Sequence, residues 1–449
     1  MTDGLLSGAP AGLAAFRLGD YDLDERSGRV ALRYSFQDGP AFEELIDLPV
    51  PAAGAPAPAA LDGALALLHL AAGVSYYKAA CPAEVLLAGA PLTPAVAALA
   101  NGLYGPGLAE MRYVNGLPLD SAPRFAAGAP PAAAAPARLD ADRMLVPVGG
   151  GKDSIVTIEA LRAGGIAPTL FSVGDADPIR RTVEASSLER RIAGRRIDPR
   201  LLEANERWAL NGHVPVTAIV SLIACVVAIR DGAGHVVMSN ERSARAGSVV
   251  CDGIEVNHQW SKGLEAERLL AAALSEAVAP DLRCFSLLRA GSELAIARAF
   301  ARSERYDLAF TSCNRVFRLD PARRAARWCG ECDKCRFVFL ALAPWCAPER
   351  LERIFGANLL DDLAQLPGVL ALCGYDAIKP LECVGEVAES RAALALLDEQ
   401  PAWRQAAVVA AVRELGVTAG APVQEVLTLS TEHEIPERFR ALANAALAA

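Results

Sequence analysis

The chain has no excess of positive charge. Its 44 Lys and Arg are outnumbered by 53 Asp and Glu, for a net charge of −9, which argues against a general nucleic-acid binder. It also lacks an apolar run long enough for a bilayer. The longest, Val214 to Ile229, is broken by Pro215 and ended by Arg230, short of the roughly 20 residues a spanning helix needs. A buried helix is expected there, and no membrane partner. Met1-Thr-Asp-Gly is not a basic stretch leading into an apolar core, so no secretory signal is expected and the cytoplasm is the expected compartment. The 11 cysteines are odd in number. Without an export signal they favour reduced thiols and a metal site over a disulfide framework.

A length of 449 residues suits two or three domains, and a hydrophobic share of 53%, much of it alanine, supplies a sizeable core. Phe16-Arg-Leu18, Tyr21-Asp-Leu23 and Val30-Ala-Leu32-Arg-Tyr34 alternate in polarity around a Ser27-Gly28 turn, so β structure is expected over 14–50. Residues 50–60 read as a Pro/Ala-rich loop, and Leu61 to Ala80 as a helix carrying His69, Tyr76, Tyr77 and Lys78. Ala126 to Ala137 is almost only Ala, Pro and Gly and marks a linker. The expected division is an N-terminal α+β domain (1–125), a linker (126–138), an α/β domain (139–345) and a helical C-terminal region (346–449). In the α/β domain, strand candidates 144–148, 169–173, 236–239 and 307–311 alternate with helices 153–163, 215–229 and 261–277. That alternation implies a doubly wound parallel sheet with right-handed crossovers, binding its ligand beyond the carboxyl ends of the strands.

The most informative stretch is Gly149-Gly-Gly-Lys-Asp-Ser154. It follows the apolar run Met144–Val148 and precedes Ile155, Ile158 and Leu161, which share one helical face. Strand, glycine turn and helix point free backbone N–H groups at an anion, and glycines let the backbone close on phosphate oxygens. Lys152 would add a mobile positive charge and Ser154 a hydroxyl. A Walker A loop is excluded, because Lys152 precedes Asp153 and Val146 stands where the first glycine belongs; a dinucleotide fingerprint would need its third glycine at Ser154. The stretch resembles instead the Ser-Gly-Gly-x-Asp-Ser loop of ATP pyrophosphatases, with Gly149 in place of the first serine. That resemblance implies a sheet of the ATP-pyrophosphatase (HUP-like) type, ATP and Mg²⁺ as cofactors, and adenylation of a substrate with release of pyrophosphate. It places Gly149, Gly150, Gly151, Lys152, Asp153, Ser154 and Val173 at the nucleotide.

Cys329-Gly-Glu-Cys332-Asp-Lys-Cys335 sets three thiols within seven residues, and Cys313 could complete a tetrahedral zinc site. A four-cysteine iron–sulfur cluster and three metal-free thiols are the alternatives; the fourth cysteine does not fit compact ferredoxin spacing. After such a core, the triplet resembles the zinc site of the 7-cyano-7-deazaguanine synthases. Asn240-Glu-Arg-Ser-Ala244, Val256-Asn-His-Gln-Trp-Ser-Lys262 and Asn314-Arg315 lie where strand ends should meet a ligand, though each could also be a cap or a satisfied core group. Glu382 and Cys383, in Lys379-Pro-Leu-Glu-Cys-Val-Gly385, could act as acid or base. Tyr76-Tyr77-Lys78 is a patch for an anionic substrate or a plain amphipathic face.

Together these runs resemble the UDP-N-acetylmuramoyl-L-alanyl-L-glutamate epimerases over nearly the whole chain. The resemblance implies ATP- and Mg²⁺-dependent inversion of the terminal L-Glu of a UDP-linked muramoyl dipeptide to D-Glu. Adenylating the carboxylate makes its carbonyl an electron sink, so an ordinary base can remove the α-proton before reprotonation on the other face. The implied acid/base shortlist is Glu241, His258, Glu382 and Cys383. Tyr77, Lys78, Arg242, Lys262, Arg315 and Lys379 would bind the substrate. Rival readings are a nitrile- or amide-forming adenylating ligase, a tRNA-modifying sulfurtransferase, which the net charge disfavours, and a zinc-containing nucleotide-binding scaffold.

Overall fold

The computed structural model describes residues 9–51, 58–88, 91–318, 322, 324–375 and 379–448. Most of the expected Pro/Ala-rich loop at 50–60 lies outside them. The strands are β1 (Ala15–Asp24), β2 (Arg29–Phe36), β3 (Ala41–Asp47), β4 (Glu84–Leu87), β5 (Asp140–Pro147), β6 (Thr169–Val173), β7 (Arg190–Arg196), β8 (Ala233–Met238), β9 (Val249–Cys251), β10 (Ile254–Val256) and β11 (Arg283–Ser286). Nine of them form one sheet in the order β11-β8-β5-β6-β7-β3-β2-β1-β4, and β9 and β10 form a separate hairpin.

The half from β11 to β7 is parallel throughout. From β5 the chain winds outward through β6 to β7, then returns to place β8 and β11 on the other side. Every residue of β8 is buried, as a strand covered on both faces requires. The other half is mainly antiparallel: β1, β2, β3 and β7 pair in series, and β4 adds in parallel to β1. The sheet is therefore mixed, and it does not divide at the alanine/proline stretch, because β3 pairs with β7 across it. A buried ion pair, Arg195 Nε to Glu44 Oε1 at 2.7 Å, joins those two strands.

Two expectations about strands need correction. Asp307–Thr311 is a turn leading into an extended segment, and the edge strand is the four-residue β11. The arginine-rich β7 has no apolar alternation to reveal it. It becomes a strand because it is paired on both sides and its arginines find carboxylates, Arg191 reaching Asp231 and Arg190 reaching Asp175.

The helices Lys152–Ala163, Val216–Asp231 and Leu264–Ala277 fall near their expected places. Helix Val216–Asp231 is apolar nearly all round because it is wedged between the sheet and helix Pro58–Ala72. Pro58–Tyr77 is long and apolar enough by length and composition to cross a membrane, yet 78% of its window is buried in the fold. The C-terminal region is helical and builds a second core around Phe337, Phe339, Leu394 and Trp403. Its last helix, Glu437–Ala448, returns to the sheet, where Phe439 stacks on Phe285.

Candidate active site

The glycine turn lies at the carboxyl end of β5, where the strand order reverses toward β8. Such switch points are where α/β sheets leave a crevice for ligands. Gly150 has φ +85°, and a Cβ there would lie 2.7 Å from Pro178 Cβ; at Gly151 it would lie 2.8 Å from Ser312 Oγ. The Thr311 N–H donates to the Gly150 carbonyl at 2.9 Å, so the segment after the turn 305–309 braces the loop. Over the loop opens a cavity of about 390 Å³. Gly149, Gly151, Asp153 and Ser154 line its floor, and Val173 closes one side. Glu241, Lys262, Lys334 and Cys383 reach it from four other segments.

Lys152 does not line this cavity as a mobile cation. Its side chain is 2% exposed and pairs with Glu293 and with Asp153. Burial opposes its charge, but the two carboxylates outweigh it and hold its pKa above the ordinary lysine value. Burial pushes the Glu293 carboxyl up to about 7, with Asp153 and Glu241 adding to the rise and Lys152 pulling against it. Asp153, Glu241 and Glu293 each bring an oxygen within 4.8 Å of the others. Glu241 is buried, and its Oε1 has no hydrogen-bond partner among the described residues. Oxygen donors of this kind suit Mg²⁺.

Cys383 lines the same cavity as Lys262 and feels the charges of Lys262 and His258. Burial opposes ionisation of the thiol, yet Lys262 and the hydrogen bond to His258 outweigh it and bring it down to about 6. Burial likewise opposes charge on His258, but its hydrogen bonds to Cys383 and Glu110 hold it up at about 9. The buried Arg289 ties the site together: it donates to the Glu241 carbonyl at 2.5 Å, the Lys262 carbonyl at 2.6 Å and Glu267 at 2.8 Å.

The remaining expected residues fall elsewhere. Glu382 is held by Asn314 at 2.5 Å and does not line the cavity. Tyr77 is fully buried and donates to the Pro82 carbonyl. Lys78 is 5% exposed and its ammonium is spent on Asn205, Leu210 and Asn211. Both residues belong to the core, because their polar tips find partners there. Arg242 binds the carbonyls of Val426 and Thr428, and Arg315 pairs with Glu331. Lys379 is buried near Glu389 and Glu386, set back from the cavity wall. Glu110, Glu293, Arg289 and Lys334 were not anticipated from sequence.

Cys313, Cys329, Cys332 and Cys335 do come together. Their sulfurs lie within 4.8 Å of one another, with 3.5 to 3.9 Å for the three closest contacts. Four thiolates at tetrahedral zinc bond lengths would be about 3.8 Å apart, so the geometry fits. Gly330, at φ +72°, makes the tight turn that lets the Glu331 and Cys332 N–H groups face Cys329 Sγ.

Fold and cavity define an α/β enzyme with its site at the switch point of a mostly parallel set of strands. A family model described as the MurL N-terminal domain matches residues 8–287, and one described as the MurL C-terminal domain matches 309–425. The chain belongs to the MurL family of epimerases and is an enzyme of the isomerase class. Three relatives named UDP-N-acetyl-alpha-D-muramoyl-L-alanyl-L-glutamate epimerase resemble it along nearly their full lengths. One from a Micromonospora species is 49% identical, over 95% of this chain and 96% of its own. One from Salinispora tropica is 50% identical, over 89% and 88%. One from Xanthomonas oryzae pv. oryzae is 44% identical, over 96% and 97%.

Proposed function

We propose that this chain inverts the terminal L-Glu of UDP-MurNAc-L-Ala-L-Glu to D-Glu in peptidoglycan precursor synthesis, acting in the cytoplasm through an adenylated carboxylate. The observation that carries the chemistry is one cavity bordered both by the glycine turn and by Cys383. The turn and the N-terminus of helix Lys152–Ala163 suit the pyrophosphate of ATP, in a sheet of the ATP-pyrophosphatase (HUP-like) type. Ser154 adds a hydroxyl donor, and Val173 borders the nucleotide. Asp153, Glu241 and Glu293 would hold Mg²⁺, which when bound supplies positive charge to the phosphates. Lys262 draws anionic substrate groups toward Cys383. With the carboxylate adenylated, the α-proton becomes acidic enough for a thiolate: Cys383 takes it from one face, and return of a proton from a second acid on the opposite face inverts the centre. Hydrolysis then releases AMP and the D-Glu product. The four cysteines would hold a structural zinc that anchors helix Asp333–Leu342.

The test is incubation with ATP, Mg²⁺ and the L-Glu muramoyl dipeptide in deuterated water. Deuterium at the glutamate α-carbon, D-Glu, AMP and pyrophosphate are expected, all dependent on ATP. Exchange at an undiminished rate without ATP would mean a direct two-base racemase. A requirement for ammonia, with no inversion, would mean a ligase.

A further inference from the structure

Helix Ala109–Val114 belongs to the N-terminal part of the chain and carries Glu110. Its carboxylate Oε2 meets His258 Nδ1, and the two side chains are 12% and 14% exposed. Nδ1 is taken by Glu110, and the His258 loop lies against the Cys383 loop: Gln259, next to His258, donates from Nε2 to the carbonyl of Val384, next to Cys383, at 3.1 Å. Carboxylate, imidazole and thiol thus stand in series, and the thiol is the end that faces the cavity. We propose that Glu110, His258 and Cys383 act as one unit, in which Glu110 holds a His258 imidazolium against the Cys383 thiolate that exchanges the α-proton. The role given to the thiolate rests on the epimerase reading above; the unit rests on the Glu110–His258 contact and on the bond that pins the His258 and Cys383 loops together.

The surroundings support a fixed ion pair. The His213 ring lies 4.1 Å from that of His258, tilted by 37°. Two imidazolium rings in contact would repel, and among the described residues it is His258 that forms an ion pair with a carboxylate. His213 accordingly stays neutral, brought down to about 3 by burial and by the charges of His258 and Lys262. Lys262 and Lys334 face the thiol, and Lys379 lies near it on its own loop. The two loops are pinned to each other, since Gln259 Nε2 donates to the Val384 carbonyl at 3.1 Å. Asn257 fixes the His258 loop by accepting from the Gln259 N–H at 2.7 Å and donating to the Ala244 carbonyl at 2.9 Å. The thiolate–imidazolium pair then persists between pH about 6 and about 9, which suits a proton acceptor working near neutrality. Glu110 does not line the cavity; it is a positioning residue, acting through His258. An imidazole held by a carboxylate on one nitrogen and offered to a thiol on the other is the geometry that activates cysteines elsewhere.

The test uses the full-length protein and Glu110→Gln, His258→Asn and Cys383→Ala. Alkylation of Cys383 by iodoacetamide, located by peptide mass spectrometry across pH 5 to 10, needs no substrate. The wild type should react half-maximally near pH 6, and both Glu110→Gln and His258→Asn should move that midpoint up by about one unit or more. In parallel, ATP-dependent deuterium uptake should fall by roughly 10² in kcat for Glu110→Gln, with KM within about twofold, and be lost in Cys383→Ala. Retained ATP–pyrophosphate exchange would show that each variant is folded and still adenylates. An unchanged alkylation profile and exchange rate in Glu110→Gln would overturn the unit. Full exchange in Cys383→Ala, or a substrate-mass adduct on Cys383 after acid quench, would overturn the acid/base role. Absence of ATP-dependent uptake in the wild type would instead sink the epimerase reading, and the alkylation profile would still decide the unit.

Discussion

Lys152 forms an ion pair with Glu293 inside the fold, their side chains 2% and 4% exposed. The lysine of the glycine turn is thereby committed to a partner 141 residues away. Removing one member of a buried pair leaves an uncompensated charge, at a cost of about 3–5 kcal/mol. Lys152→Ala should lower the urea midpoint markedly, and Lys152→Met with Glu293→Gln together should lose less than the two single changes summed. Wild-type stability in Lys152→Ala, with ATP turnover lost, would assign the charge to phosphate instead.

The cysteine geometry predicts about one zinc per chain, as in a closed structural site. Elemental analysis of untagged protein checks it. Cys332→Ser should lose the metal and lower the melting temperature, because the metal would no longer tie Cys313 to the start of helix Asp333–Leu342. A stable, fully active, metal-free protein would refute the site.

Lys78 was expected at the substrate, and its burial argues for a different outcome. Desolvation lowers its pKa to about 8, and three oxygen acceptors surround its ammonium. Lys78→Met should therefore reduce thermal stability while leaving KM for the dipeptide within about twofold. A large rise in KM at unchanged stability would restore the binding role.

What was legible in the sequence was local. The glycine turn, the cysteine triplet and helix Val216–Asp231 each announce themselves within a short window, since backbone geometry and ligand spacing need neighbours in sequence. Lys262 and Glu241 drew notice because polar residues cluster beyond strand ends, and Cys383 through the family resemblance; the three line one cavity. Glu110 was not, because its partner His258 is 148 residues away and an acidic residue in the first turn of a short helix looks like an ordinary surface choice. Tyr77 and Lys78 show the converse, expected at the substrate and buried with internal partners. Their polar tips suggest recognition, but a tyrosine hydroxyl and a lysine ammonium can both be satisfied inside a core, and periodicity cannot separate the two cases. Strand β7 escaped notice because its arginines are matched by Asp231, Asp175 and Glu44 only once the sheet has assembled.

His235 gives a prediction with a defined sign. Burial lowers its pKa to about 4, helped by the charges of Arg438 and Arg283. In the unfolded chain it should titrate near about 6.5. Between those values the unfolded state binds the proton and the folded state does not, so its contribution is present above pH about 6.5 and lost as pH falls toward 4. Urea midpoints at pH 7 and pH 4.5 should differ less in His235→Asn than in the wild type. An equal or larger difference would contradict the assignment.

Gly149 and Gly150 are adjacent but should respond oppositely to a methyl group. A Cβ at Gly149 meets nothing within 4 Å, whereas at Gly150 it would lie 2.7 Å from Pro178 Cβ and 2.9 Å from the Pro178 carbonyl carbon. Gly150 also sits at φ +85°, a conformation that costs an L-residue about 1–2 kcal/mol. Gly150→Ala should therefore destabilise the fold and disable ATP turnover together, since the turn cannot close. Gly149→Ala should leave the urea midpoint unchanged, because its Cβ enters open space. Gly149 lines the cavity, so any effect of that substitution should appear in KM for ATP and not in stability. Measuring urea midpoints beside pyrophosphate release for both variants separates the two cases. Equal destabilisation by both would mean that Gly149, too, is constrained by packing, and the open floor assigned to the phosphates would have to move.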